Sequence, residues 1–180
     1  MVQAQDPIQK ALEYMRYQGA KSFEDLTALI RRTGSTWSSA LVDMSEHQAE
    51  FRPGEEWCAK EVLGHLIGAN RGINQQIADM AGAQSPKPAQ RVKGMGEIPE
   101  EYERMDISRL RTEVADVFGE IEELMSSLAG NKKLDQQFPH PLFGPLNLKE
   151  WFVFHRNSSS TTTRSALSCS RVRFACSFLA

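Results

Sequence analysis

The sequence has no long apolar run, no excess of basic residues and no paired cysteine motif. No window approaches the roughly 18 consecutive apolar residues that a bilayer-spanning helix needs, and no basic region leads into an apolar stretch near Met1. A formal net charge of −2 gives no electrostatic basis for binding nucleic acid. The three cysteines lack C-x-x-C spacing, which argues against a disulfide scaffold and a four-cysteine zinc site. We therefore expect a cytoplasmic protein that binds neither membranes nor nucleic acid.

The composition is that of one globular domain. Of the 180 residues, 41% are hydrophobic and 24% are charged. A chain of this length buries about two-thirds of its unfolded surface without disulfides or a structural metal. We expect one hydrophobic core.

Apolar residues recur at helical spacing in four main segments and one short one. The predicted major helices run from Phe23 to Ser45, from Cys58 to about Gly82, from Asp106 or Ser108 to Gly130, and from Leu148 onward. A short accessory helix is predicted from Pro7 to about Tyr17. Since no useful alternation of apolar and polar residues predicts a strand, the expected fold is all-α, a four-helix bundle.

The sequence also indicates a long connection between helices and the start of the second major helix. The segment from Ala83 to Glu103 is rich in proline and glycine and is predicted to be a long crossover between helices 2 and 3. Glu61 stands three residues after Cys58, the spacing of a capping box, with cysteine where serine or threonine is usual. Cys58 is therefore either a substitute N-cap or a nucleophile at a helix N-terminus.

The last 23 residues do not show this helical spacing of apolar residues. Residues 158–180 are rich in Ser, Thr, Arg and Cys and contain no histidine. Two interpretations are open, a reading-frame shift near Asn157 and a natural, divergent or disordered terminus. Because runs of Ser and Thr are weak helix formers, we expect the fourth helix to end soon after Asn157. The predicted division is an accessory segment 1–21, a bundle 22–157 and this tail.

Two sequence blocks carry a family resemblance. The run WCAKEVLGHL in the second major helix and the run HPLFGPLNLKEWFVFH leading into the fourth resemble the DinB/YfiT-like superfamily. The resemblance extends from about Ser22 to His155. It implies an up-down-down-up bundle and a divalent metal such as Zn, Ni or Fe, held by one histidine of the second helix and an H-x-x-x-H pair of the fourth. It also implies a metal-dependent enzyme of the thiol-dependent transferase or hydrolase type.

Only part of the ligand set that the resemblance implies is histidine in this sequence. His65 matches the ligand of the second helix, and Glu61, one turn earlier, is the candidate catalytic carboxylate.

Two registers are open for the fourth-helix pair. If the pair begins at His155, its second position is Ser159. If it begins three residues later, which better fits the spacing from Trp151, the two positions are Ser158 and Thr162.

Neither register supplies both histidines of the pair. Because Ser and Thr hydroxyls are poor ligands at neutral pH, the metal site is expected to be incomplete in this chain, and the alternative is that the chain binds no metal. His65 also fits a second interpretation, a histidine satisfied within the core.

Three function hypotheses follow. The first is a metal-dependent enzyme that acts on a small-molecule substrate. The second is a metal-free bundle that binds a small ligand or a protein. The third is a plain oligomeric helical protein. We expect a homodimer, because a shortened fourth helix would uncover apolar stripes on its neighbours.

Overall fold

Seven helices and one two-stranded sheet make up the part of the chain that the computed structural model describes, residues 7–52, 54–87 and 98–156. The helices are α1 (Pro7–Gly19), α2 (Phe23–Leu41), α3 (Glu46–Glu50), α4 (Ala59–Ala81), α5 (Glu100–Glu103), α6 (Ile107–Leu128) and α7 (Leu148–Phe152). The strands are β1 (Gln137–His140) and β2 (Gly144–Asn147). The prediction of an all-α fold class is confirmed.

The core lies where α6 packs against α2 and α4. One face of α6 is almost completely buried because its apolar side chains follow the helical repeat; these are Leu110, Val114, Val117, Ile121, Leu124, Met125 and Leu128. Each such side chain contributes about 1.5–3 kcal/mol when it leaves water. The α4 helix is buried on more than one side, because it contacts α3, α5, α6 and α7.

Local capping sets where the helices begin and end. Ser22 and Asp106 accept hydrogen bonds from the third amide of α2 and α6 respectively. Asn147 and Glu150 form a reciprocal capping box that starts α7, with bonds of 2.9 and 2.8 Å. Gly82 ends α4 in the left-handed conformation, at φ 70°.

The predicted end of the first major helix was wrong. The helix α2 ends at Leu41 rather than Ser45, because Ser45 is the N-cap of the separate helix α3. The Ser45 hydroxyl accepts from the Gln48 amide, and the Gln48 side chain accepts from the Ser45 amide. His47 therefore lies in a short helix.

Two further elements were missed. The strands β1 and β2 form an antiparallel hairpin in which Phe138 pairs with Leu146 and Pro139 with Pro145. Proline in both strands hides the usual alternation, and such prolines are tolerated only where a strand has a free edge. The short helix α5 lies at the end of the predicted crossover, of which residues 88–97 are outside the described part of the chain.

The accessory helix α1 packs against α7. Met15 is fully buried in this contact region, and a Cβ at Gly19 would lie 2.6 Å from Glu150 Cγ. The two helices therefore approach closely at Gly19. Among the described helices, none is long and apolar enough to cross a membrane.

Substitution of Gly34 tests the packing of α2 on α6. A Cβ at Gly34 would lie 2.8 Å from Phe118 Cγ, and Phe118 is almost fully buried. We expect Gly34→Ala to lower the free energy of unfolding by about 1–3 kcal/mol, because the rigid ring must shift in a packed core. Urea denaturation measures the change.

The matched control is Gly119→Ala on α6, where a Cβ meets nothing within 4 Å. This variant should be neutral or up to about 1 kcal/mol more stable, because alanine is the better helix former. If Gly34→Ala were as stable as Gly119→Ala, the close approach of the two helices would be wrong.

Candidate functional site

The candidate site residues are on α4 and just beyond the end of α7, two helices that are in contact. His65 is on α4 and is partly exposed. Its ring meets the ring of Trp57 edge to face, with centroids 5.3 Å apart and an interplanar angle of 66°. The imidazole is therefore oriented by an aromatic neighbour at the start of the same helix.

Glu61 is engaged at both carboxylate oxygens. Arg52 Nη2 donates to Oε1 at 2.5 Å, and the Cys58 backbone amide donates to Oε2 at 2.7 Å. Burial alone would raise the pKa of Glu61, but these hydrogen bonds outweigh it and the pKa is lowered. This arrangement fits the predicted capping box better than a general base. Burial also raises the pKa of the Cys58 thiol, which disfavours the nucleophile interpretation.

His155 is completely buried and is bound to Asn70 of α4. Its Nδ1 lies 2.8 Å from Asn70 Oδ1, and Asn70 Nδ2 donates to the Leu66 carbonyl at 2.9 Å. Since the amide nitrogen of Asn70 already donates to the Leu66 carbonyl, the amide oxygen faces the imidazole and accepts a hydrogen bond from Nδ1–H. Burial lowers the pKa of His155 to about 3, so the ring is neutral near pH 7.

The remaining two histidines lie elsewhere. His140 is in β1, where its Nδ1 accepts from the backbone amides of Leu142 and Phe143, at 3.1 and 3.2 Å. Its ring stacks on Phe154 with centroids 5.0 Å apart, and burial lowers its pKa. His47 is exposed on α3. Among the described residues, neither histidine belongs to a group of three or more side chains that could hold a metal ion.

A complete metal site is not present among the residues that the structure describes. No group of three or more His, Cys, Asp or Glu side chains in 7–52, 54–87 and 98–156 could hold a metal ion. The expected partner positions Ser158, Ser159 and Thr162 lie outside the described residues. His65 and His155 are the two candidate ligands that lie among the described residues, and their ligand role stays a prediction.

Sequence reasoning missed a buried charged cluster beside this site. Arg71 of α4 is 3% exposed and donates to Glu113 and Glu120 at 2.8 Å and to the Tyr102 hydroxyl at 2.5 Å. Burial raises the pKa of Tyr102 to about 12, against the opposing effect of Arg71. Because each charge has a partner, the cluster ties α4 to α5 and α6.

Asn70 and Asn74 were missed as well. They are one helical turn apart on α4, and both are fully or almost fully buried. Within the described part of the chain, neither amide atom of Asn74 has a hydrogen-bond partner. Two asparagines inside the apolar stripe of a helix were the available signal, since buried amides need partners.

Comparison with known families gives one match. The model of the DinB superfamily matches residues 29–155, most of the chain, and the matched region contains both His65 and His155. Comparison with curated proteins finds no match. The two imidazoles therefore lie within the part of the chain that the family accounts for.

Burial of neutral His155 predicts a specific pH dependence. Below about pH 6.5 an unfolded histidine binds a proton, whereas folded His155 binds one only near pH 3. We expect the free energy of unfolding of metal-free protein to fall between pH 6.5 and 5, by up to about 1.4 kcal/mol per pH unit. In His155→Gln this loss should be smaller, as measured by urea denaturation at several pH values.

The chosen window separates this effect from the carboxylates. The pKa values of Glu46, Glu61 and Glu113 are lowered in the folded protein. Their carboxylates therefore stabilise the fold at pH values above the ordinary pKa of glutamate, and this stabilisation is lost only at lower pH. The control is His47→Gln, which changes an exposed histidine. Equal slopes in wild type and His155→Gln would show that His155 is not buried as a neutral ring.

Proposed function

Because the chain belongs to the DinB superfamily, we propose that it is a DinB-type protein with an incomplete metal centre built on His65 and His155. The proposed metal is a divalent transition ion such as Zn, Ni or Fe. The proposed activity is that of a thiol-dependent transferase or a hydrolase acting on a small molecule.

The observation that carries this proposal is the state of His155. A metal ligand must be a neutral imidazole, and burial keeps this ring neutral. Metal-binding histidines typically donate their other ring N–H to an oxygen acceptor, as His155 does to Asn70. These features support His155 as a candidate ligand alongside His65, while no group of three or more His, Cys, Asp or Glu side chains among the described residues completes a metal site.

The missing imidazole has a consequence for affinity. Catalytic zinc sites usually have three protein ligands and one open position, so two ligands hold the ion less tightly. When bound, such an ion would act as a Lewis acid toward a water or a thiolate. Glu61, as candidate catalytic residue, stays a prediction, and its bonds to Arg52 and Cys58 favour a capping role.

Zinc titration of protein without a polyhistidine tag tests the proposal. We expect one weakly bound ion per chain in wild type by calorimetry, and loss of that binding in His65→Ala and in His155→Gln. The reason is that either change leaves only one imidazole at the site. His47→Ala is the control and should bind as wild type does. An ion that is retained in His65→Ala would place the metal elsewhere.

A metal-free module that binds a small ligand is the second candidate, and Asn74 favours it. This side chain is 1% exposed, and in the described structure its amide lacks hydrogen-bond partners. An unpaired buried polar group costs about 1–3 kcal/mol. A small ligand with both a donor and an acceptor would remove that cost.

The comparison of Asn74→Leu with Asn70→Leu tests this candidate. We expect Asn74→Leu to raise the free energy of unfolding by about 1 kcal/mol, because an unpaired amide is removed. Asn70→Leu should lower it, because the Leu66 carbonyl and His155 lose their partner. Acetamide should raise the unfolding midpoint of wild type but not of Asn74→Leu. Destabilisation by Asn74→Leu without any response to acetamide would exclude the candidate.

Other expectations stay predictions. These are the homodimer, the third hypothesis of a plain oligomeric helical protein, the cytoplasmic location, the up-down-down-up order of the bundle and the division at residues 21 and 157. The residues that follow Arg156 lie outside the described structure, so both interpretations of the tail also stay open.

A further inference from the structure

His140 is the last residue of β1, where the hairpin turns toward β2. The turn consists of residues 141–143 and starts with Pro141, which has no backbone N–H. The next two amides, those of Leu142 and Phe143, both donate to His140 Nδ1, at 3.1 and 3.2 Å. Gly144, at φ 72°, completes the turn. A single side-chain nitrogen thus accepts from both amides that the turn can offer.

These two hydrogen bonds determine where the proton of the His140 ring is. A backbone N–H can only donate, so Nδ1 presents its lone pair to both amides. A neutral imidazole has one ring proton, which is therefore on Nε2. An imidazolium has a proton on both nitrogens, so protonation would place Nδ1–H against two amide N–H groups. The turn is therefore compatible with the neutral ring and incompatible with the charged one.

The same ring joins the hairpin to α7. Its centroid lies 5.0 Å from the ring centroid of Trp151 on α7 and 5.0 Å from that of Phe154, which follows α7. Phe143 of the turn is also 5.0 Å away, and the rings of Phe143 and Phe154 are 5.7 Å apart. The imidazole therefore lies among three aromatic rings, one from the turn and two from the chain that includes α7.

The titratable groups of the chain around this ring have partners of their own. The strands β1 and β2 contain no titratable side chain besides His140. Those on α7 and directly after it are Lys149, Glu150, His155 and Arg156. Their partners are, in the same order, Asp135, the Asn147 amide, Asn70 and the Tyr14 hydroxyl. Burial, rather than a neighbouring charge, lowers the pKa of His140.

We propose that His140 is an acid-sensitive anchor of the hairpin, whose neutral ring holds residues 141–143 against α7 and whose protonation releases them while the helical core stays folded. In the open turn the imidazole has its ordinary pKa of about 6.5, whereas in the closed turn its pKa is lower. The closed turn is therefore fully favoured above about pH 6.5 and is progressively destabilised as the pH falls below that value. This inference requires no metal and involves neither His65 nor His155.

Hydrogen exchange of backbone amides between about pH 7.5 and 5.5, followed by NMR, tests the proposal. We expect the protection factors of Leu142 and Phe143 to fall by up to about tenfold over this range, because the open turn takes up a proton. At every pH they should stay below the protection factor of Val117, a fully buried residue of α6, because the turn opens without the core.

Two substitutions separate the titration of His140 from the packing of its ring. His140→Asn keeps a side-chain acceptor and cannot titrate, so protection of the Leu142 and Phe143 amides should not depend on pH. His140→Phe keeps an aromatic ring but has no acceptor, so these amides should already be weakly protected at about pH 7.5. The control is His155→Gln, which changes the fully buried histidine and should leave the pH dependence of the turn as in wild type.

Four results would overturn the inference. The first is a ¹⁵N spectrum of wild type at about pH 7.5 with the His140 proton on Nδ1. The second is turn protection that does not change with pH, and the third is a pH dependence that persists in His140→Asn. The fourth is protection of Leu142 and Phe143 equal to that of Val117 at each pH, since the turn would then open only on global unfolding. If neither variant folds, the spectrum and the exchange of wild type still decide.

Discussion

The burial of α4 on several sides is the constraint on which the rest of the structure depends. This helix contacts α3, α5, α6 and α7, so polar side chains in its interior faces have little access to water. Each must find a partner on another helix or carry a desolvation cost. Arg71 meets Glu113 and Glu120 of α6 on one side, and Asn70 meets His155 on the other. The packing of α4 thereby decides which residues can form a site.

Local sequence signals predicted most of the helical elements. The start of α4 at Cys58 with Glu61, and the start of α7 at Asn147 with Glu150, were readable because a capping box involves residues only three positions apart. The buried face of α6 was readable because burial there follows the helical repeat along the whole helix. In these cases the information lies within one or two turns of chain.

The site was less predictable, because its contacts join distant parts of the chain. Asn70 and His155 are 85 positions apart, and no spacing rule links an asparagine on one helix to a histidine on another. The break between α2 and α3 was missed for a different reason, since the apolar repeat continues to Met44 while the Ser45 cap starts a new helix. The hairpin was missed because Pro139 and Pro145 conceal its pattern.

The two polar groups that involve α4, the charged cluster around Arg71 and the pair of Asn70 and His155, are stabilised by different interactions. The charged cluster around Arg71 depends on full compensation, because removing one partner of a buried ion pair leaves an uncompensated charge. The pair of His155 and Asn70 is neutral, so its burial costs less, and each residue gives the other a hydrogen-bond partner. The pair is therefore stable within the core without a metal ion. Packing and hydrogen bonding therefore hold this imidazole in place whether or not it serves as a metal ligand.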